Sequence, residues 1–130
     1  MDENTKFVVD ASFVLAFLLP DEEIGEVESL FDKHKLDQVS LIAPHLLPFE
    51  IFNSLKMAIK RHRLNEATVS EIAAEFIGLN IELISIHYEK ALGLAIKHDL
   101  SFYDASYLSL SREKDSRLLT LDKHLKKLNR

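Results

Sequence analysis

Short runs of β-branched and other apolar residues alternate along the chain with longer stretches whose apolar positions recur every three or four residues. Residues 6–10, Lys-Phe-Val-Val-Asp, read as a buried strand, and residues 11–19 as a helix that Pro20 stops. A second helix is predicted over residues 21–35. Ile24, Val27, Leu30 and Phe31 form its apolar stripe, and Asp21, Glu22 and Glu23 sit in its first turn, where they suit the positive end of the helix dipole. Residues 39–43 make a second strand, and Pro44 and Pro48 restrict the entry into a helix that reaches about Arg63, on which Phe52, Leu55 and Ile59 are spaced for burial. Asn65 is placed to cap another helix ending near Gly78, with Ile72, Ala73, Phe76 and Ile77 on its apolar positions. Residues 81–86 follow as a third strand, residues 87–98 as a helix, and a further helix opens after Ser101 and continues to about Lys114. Residues 117–121 make a fourth strand, before a short basic helix from Lys123 to the end. Strands separated by one or two helices, with no hairpin turns, predict an α/β domain whose parallel sheet is covered on both faces. No linker, repeat or low-complexity stretch interrupts residues 1–130, so a single domain is expected.

Composition narrows the class. At 47% apolar and 28% charged over 130 residues, the chain is globular and long enough to bury a core without staples. The absence of cysteine excludes disulfides, thiolate metal sites and a cysteine nucleophile. The opening Met-Asp-Glu-Asn lacks the basic and apolar regions of a signal peptide, and the longest apolar run, residues 13–19, is too short to span a membrane. A cytoplasmic protein with no membrane attachment is expected. The formal net charge of −5 speaks against a non-specific nucleic-acid binder, which normally needs a strong positive field.

Four acids qualify that objection. Asp10 and Asp122 close the first and last strands, Glu50 follows Pro48 at the start of a helix, and Asp104 stands three residues after Ser101. Taken singly, each has a local explanation: Asp10 and Asp122 as N-caps, Asp104 in a capping box, Glu50 as a first-turn carboxylate favoured by the dipole. Jointly they fall where strands end and helices begin, which in an open parallel sheet is the crevice that binds ligands. Two carboxylates about 5 Å apart repel by roughly 3 kcal/mol at an effective dielectric near 20, so four together require protons or a cation. An all-oxygen donor set suits Mg²⁺ or Mn²⁺ rather than zinc. The six histidines show no paired ligand spacing on one helix, which also argues against zinc.

The segments Val-Val-Asp10-Ala-Ser12, Pro44-His-Leu-Leu-Pro-Phe-Glu50-Ile-Phe-Asn53-Ser-Leu, Leu100-Ser-Phe-Tyr-Asp104-Ala-Ser-Tyr107 and Leu118-Leu-Thr120-Leu-Asp122-Lys-His-Leu resemble, in order and spacing, the motifs of PIN-domain nucleases, the VapC-type toxins above all. The resemblance runs from about Lys6 to Leu125. It implies a three-layer α/β/α sandwich with a central, mostly parallel sheet. It also implies an Mg²⁺-dependent endoribonuclease whose acidic quartet matches Asp10, Glu50, Asp104 and Asp122, with cleavage leaving a 5′-phosphate and a 3′-hydroxyl. In that scheme Asp10 ligates metal from a rigid strand end, and Asp104 or Asp122 orients the attacking water. The fourth position varies most within the family, so Asp122 carries the weakest match. The resemblance further implies a homodimer and a cognate VapB-type antitoxin whose C-terminal segment blocks the acidic groove.

Around the quartet, Ser12 and Thr120 lie two residues from Asp10 and Asp122, near enough to bond a carboxylate or to cap locally. Asn53, three residues after Glu50, is placed either to steady it or to meet RNA, or else is solvated surface. Lys56, Lys60 and Arg63 form a basic stripe suited to phosphate, or to a solvated helix face, which is favoured for any single residue; the basic residues of the C-terminal tail admit the same two readings. Tyr103 and Tyr107 are positioned for stacking on bases or for packing, with packing favoured, and Phe13, Phe17, Phe49 and Phe52 for core or interface. Two other functions compete. A PIN-like module that binds RNA or protein without cleavage fits the same motifs. A phosphoacceptor receiver domain is also of this size and acidity, but Asp10 stands alone after its strand and the third strand ends in no Asp.

Overall fold

The computed structural model describes residues 5–19 and 25–129; the expectations for Ile24, for the stop at Pro20 and for the acidic first turn at residues 21–23 lie outside them. Four strands, β1 (Thr5–Val9), β2 (Val39–Pro44), β3 (Glu82–Ile84) and β4 (Arg117–Leu119), form one parallel sheet in the order β3-β2-β1-β4. Val8 pairs with Ile42 on one side and Leu118 on the other, and Pro44 pairs with Ile84. Helices α1 (Ala11–Leu18), α2 (Gly25–Lys35), α3 (Leu46–Lys60) and α4 (Glu66–Gly78) occupy one face. Helices α5 (Tyr88–His98) and α6 (Phe102–Glu113) cover the other, with α7 (Lys123–Leu128) against α6. The predicted three-layer α/β/α sandwich is the observed fold. Its strand order departs from that of a receiver domain, 2-1-3-4-5.

The central strands are apolar on both faces, as a doubly covered sheet requires: Val8, Val9, Leu41, Ile42 and Ala43 are fully buried. Phe17 stacks on Phe31 at 4.2 Å between ring centroids, joining α1 to α2. His34, in the last turn of α2, ties three elements together. Its Nε2–H donates to the Leu79 carbonyl at 2.6 Å beyond α4, and its Nδ1 accepts from the Leu41 N–H in β2 at 3.2 Å.

Several boundaries differ from those predicted. The helix expected to end near Gly78 does end there, and the left-handed residue beyond it is Asn80 rather than the glycine. Asp37, His62, Asp99 and Asp115 do the same after α2, α3, α5 and α6, because short polar side chains tolerate this conformation better than other non-glycine residues. Helix α3 ends at Lys60, three residues short of Arg63. Strand β4 stops at Leu119, since the next amides are taken by side chains: Leu121 N–H bonds Ser12 Oγ and Asp122 N–H bonds Thr120 Oγ1. Strand β3 spans three of the six residues expected. Phe52 and Ile77, assigned to buried stripes, are 40% and 65% exposed. Among the described residues no helix is long and apolar enough to cross a membrane.

Candidate active site

All the strands are parallel, so their carboxyl ends share one edge, and the order in which strands are added reverses between β1 and β4, the switch point at which such sheets bind ligands. Asp10 stands there. It leaves β1 in an extended conformation and caps α1, accepting from Phe13 N–H at 3.0 Å and Ser12 Oγ at 2.7 Å through Oδ1; Oδ2 accepts from the Thr120 hydroxyl. It is 6% exposed. The two hydroxyls also accept the amides of Leu121 and Asp122, so they join the start of α1 to the segment after β4. Thr120 therefore acts across 110 residues of sequence as well as locally, two residues on.

Asp122 caps α7, accepting from Leu125 N–H at 2.9 Å, and is exposed. Asp104 lies in the first turn of α6, where Ser101 Oγ accepts its amide at 3.0 Å. Glu50 is one turn into α3 rather than in its first turn, so the dipole does not account for it. Its Oε1 accepts from Tyr107 Oη at 2.5 Å, and Tyr107 belongs to α6 in the opposite helical layer. Tyr107 is buried, as the packing reading required; its bond to Glu50 was missed. The available signal was the three-residue spacing of Asp104 and Tyr107, which puts both on one side of α6.

The site carries an electrostatic signature. Burial raises the Asp10 carboxyl above its ordinary value. The bonds from Thr120, Ser12 and Phe13 oppose that rise, and the Asp122 charge adds to it. Burial also raises Glu50, opposed by the Tyr107 bond and reinforced by the Asp104 and Asp10 charges. Asp104 is raised by burial and then by Asp122 and Asp10, with Ser101 and His124 in opposition. Tyr107 sits far above an ordinary phenol because of burial, its bond to Glu50 and the charges of Glu50, Asp10 and Asp104. Asp10, Glu50 and Asp104 thus each feel the charge of another of these acids, and the Asp122 charge reaches Asp10 and Asp104.

Among the described residues, however, no three acidic or histidine side chains are gathered into a ready-made metal centre. The expected convergence is electrostatic, not yet coordinating. The carboxylate oxygens of Asp10 and one of Glu50 are already directed to hydroxyl and amide donors. The donor set still fits a hard divalent cation: the acids offer only oxygen, and three of them are raised partly by one another's charge, which a cation would relieve.

Asn53 is exposed and makes no hydrogen bond to Glu50; it lines a groove of about 500 Å³ with Leu15, Leu19, Met57, Arg61 and Arg63. Lys56 and Lys60 are exposed on α3, roughly 9 and 15 Å along the axis from Glu50 at 1.5 Å per residue. Arg63 leaves the predicted stripe because α3 has already ended. Tyr103 is 60% exposed beside Asp104, and Phe49 is 75% exposed beside Glu50.

A parallel α/β/α sandwich with linked carboxylates at its switch point defines a PIN-type fold, and the chain belongs to the PIN domain family, whose pattern matches residues 7–130. Within that family it is a homologue of the VapC-type ribonucleases. It is 31% identical to Ribonuclease VapC3 of Pyrobaculum aerophilum over 92% of both chains, and 32% identical to Ribonuclease VapC9 of Mycobacterium tuberculosis over 91% of this chain and 87% of that one. In fold it is similar to a Pyrobaculum aerophilum protein of known crystal structure, with a TM-score of 0.75 at 21% identity, covering 95% of this chain and 86% of the other. It is also similar to Mycobacterium tuberculosis VapC20, a sarcin-ricin loop cleaving toxin, with a TM-score of 0.69 at 17% identity over 94% of each chain.

Proposed function

We propose that the chain is a single-domain, metal-dependent endoribonuclease of the VapC type, in which Asp10, Glu50, Asp104 and Asp122 hold Mg²⁺, or Mn²⁺ in its place, and direct water at an RNA phosphodiester bond. The observation that carries this reading is that Asp10, Glu50 and Asp104, which belong to three different parts of the chain, are each raised partly by the charge of another of these acids. A divalent ion bound there lowers the pKa of water and offsets charge building on the phosphate. The protein's part is to preset the donors. Asp10 is fixed on both oxygens by Ser12, Phe13 and Thr120, and Asp104 or Asp122 orients the attacking water. In-line attack then leaves a 5′-phosphate and a 3′-hydroxyl.

Lys56 and Lys60, with Arg63 in the turn beyond, serve the RNA backbone along α3. Apart from the quartet the chain holds nearly equal numbers of acidic and basic residues, so affinity without metal is weak. Kinship with VapC proteins supports a cytoplasmic toxin that pairs with a VapB-type antitoxin covering the acidic groove. Tyr88, Leu92 and Ile96, four residues apart and exposed on α5, support a homodimer.

The test is cleavage of RNA by purified protein with Mg²⁺ or Mn²⁺, against Asp10→Asn, which retains a capping side chain and so the fold. Cleavage is expected to be metal-dependent and lost in the variant. Undiminished cleavage by Asp10→Asn refutes the site, and an intact wild-type protein that binds RNA without cutting it refutes the enzyme in favour of a binding module.

A further inference from the structure

The site acids are served by hydroxyls in two places. Ser12 and Thr120 take the oxygens of Asp10 from neighbouring segments at the sheet edge. Glu50 is different, because its donor comes from the other side of the sheet. Tyr107 is 1% exposed, its ring is part of the hydrophobic core, and its hydroxyl reaches Glu50 Oε1 at 2.5 Å. A glutamate has three side-chain torsions and Glu50 is only partly buried, so α3 by itself leaves the carboxylate several staggered positions. A phenol locked in the core removes that freedom. It also locates Glu50 relative to α6, the helix that bears Asp104 three residues before Tyr107.

We propose that Tyr107 is a positioning residue: its hydroxyl reserves one oxygen of Glu50, so that the other alone faces the crevice shared with Asp10 and Asp104. This rests on the metal-binding function proposed above. One helix then supplies both a carboxylate and the clamp for a second, and Glu50 gives a bound cation a single oxygen in a fixed direction.

The experiment is a binding titration with Mn²⁺ alone, followed by the electron paramagnetic resonance of free ion, on the wild type, Tyr107→Phe, Glu50→Gln and the double variant. Removing the hydroxyl while keeping the ring is expected to weaken Mn²⁺ binding about tenfold, the size usual for a group that orients a metal ligand. The same change is expected to cost nothing further in the Glu50→Gln background. In cleavage of a short RNA, Tyr107→Phe lowers kcat with KM unchanged. Mn²⁺ affinity equal to wild type in Tyr107→Phe overturns the proposal, as does an equal loss in the Glu50→Gln background, which would make the effect independent of Glu50. A wild-type protein that binds no Mn²⁺ overturns the proposed function itself, so the two failures are distinct. A readout in the wild type needs no variant to fold: without metal, the Glu50 side-chain carboxyl ¹³C resonance should shift between H₂O and D₂O through the Tyr107 proton, and no shift removes the clamp.

Discussion

Thr120→Val tests the site's architecture through stability alone. The substitution keeps the shape of a side chain that is 5% exposed and deletes one oxygen that does two jobs. That oxygen donates to Asp10 Oδ2 and accepts the Asp122 amide at 3.0 Å. A hydrogen bond to an ionised group is worth about 1.5–3 kcal/mol net, and one between neutral groups about 1 kcal/mol. At pH 7, with Asp10 ionised, the two losses sum to about 3 kcal/mol; once Asp10 is protonated they fall to about 2 kcal/mol. With a urea slope near 2 kcal/mol/M, that lowers the unfolding midpoint by about 1.5 M at pH 7 and by about 1 M at a pH low enough to protonate Asp10. Thr120→Ser keeps the hydroxyl and should recover most of the loss. A destabilisation under about 0.5 kcal/mol, or one equal at both pH values, would refute the claim that Thr120 holds the ionised form of Asp10.

Two further outcomes follow from the same geometry. Asp10, Glu50 and Asp104 are all raised by burial and mutual charge, so their joint contribution to stability is present below about pH 4 and is lost as pH rises through their folded values. Mg²⁺ at ten times its pH 7 Kd should therefore add about 1.4 kcal/mol at pH 7, roughly 5 °C in Tm, and progressively less as the pH falls and protons compete for the raised carboxyls of Asp10, Glu50 and Asp104; at the same Mg²⁺ concentration, calorimetry showing a gain that does not fall with pH would contradict this. His34→Ala strands the Leu41 N–H and the Leu79 carbonyl and should cost about 2–3 kcal/mol in urea unfolding, with a loss below about 0.5 kcal/mol counting against the brace.

The order of elements, the parallel α/β class and the placing of all four acids at strand ends or early in helices were legible in the sequence, because these rest on local signals: periodicity, proline punctuation and capping chemistry. Asp10 and Asp122 do cap helices, as the plainest reading of each held, and the Asp122 charge also reaches Asp10. The errors of detail are also physical. Strand β4 is two residues shorter than expected, because Ser12 and Thr120 take the amides that would extend it. Phe52 and Ile77 followed a helical stripe yet stay exposed, Phe52 keeping only an edge contact between rings with Phe76.

What the sequence determined, then, is which residues end strands and start helices, since that depends on a few neighbours along the chain. Tertiary structure alone decided which of them meet. Thr120 finds Asp10 across 110 residues because β1 pairs with β4, and Tyr107 finds Glu50 across 57 because β1 pairs with β2 and α6 packs on both strands. No local pattern encodes those partners. They follow from strand order, which is set by burial of the whole core, and they determine how each carboxylate is held.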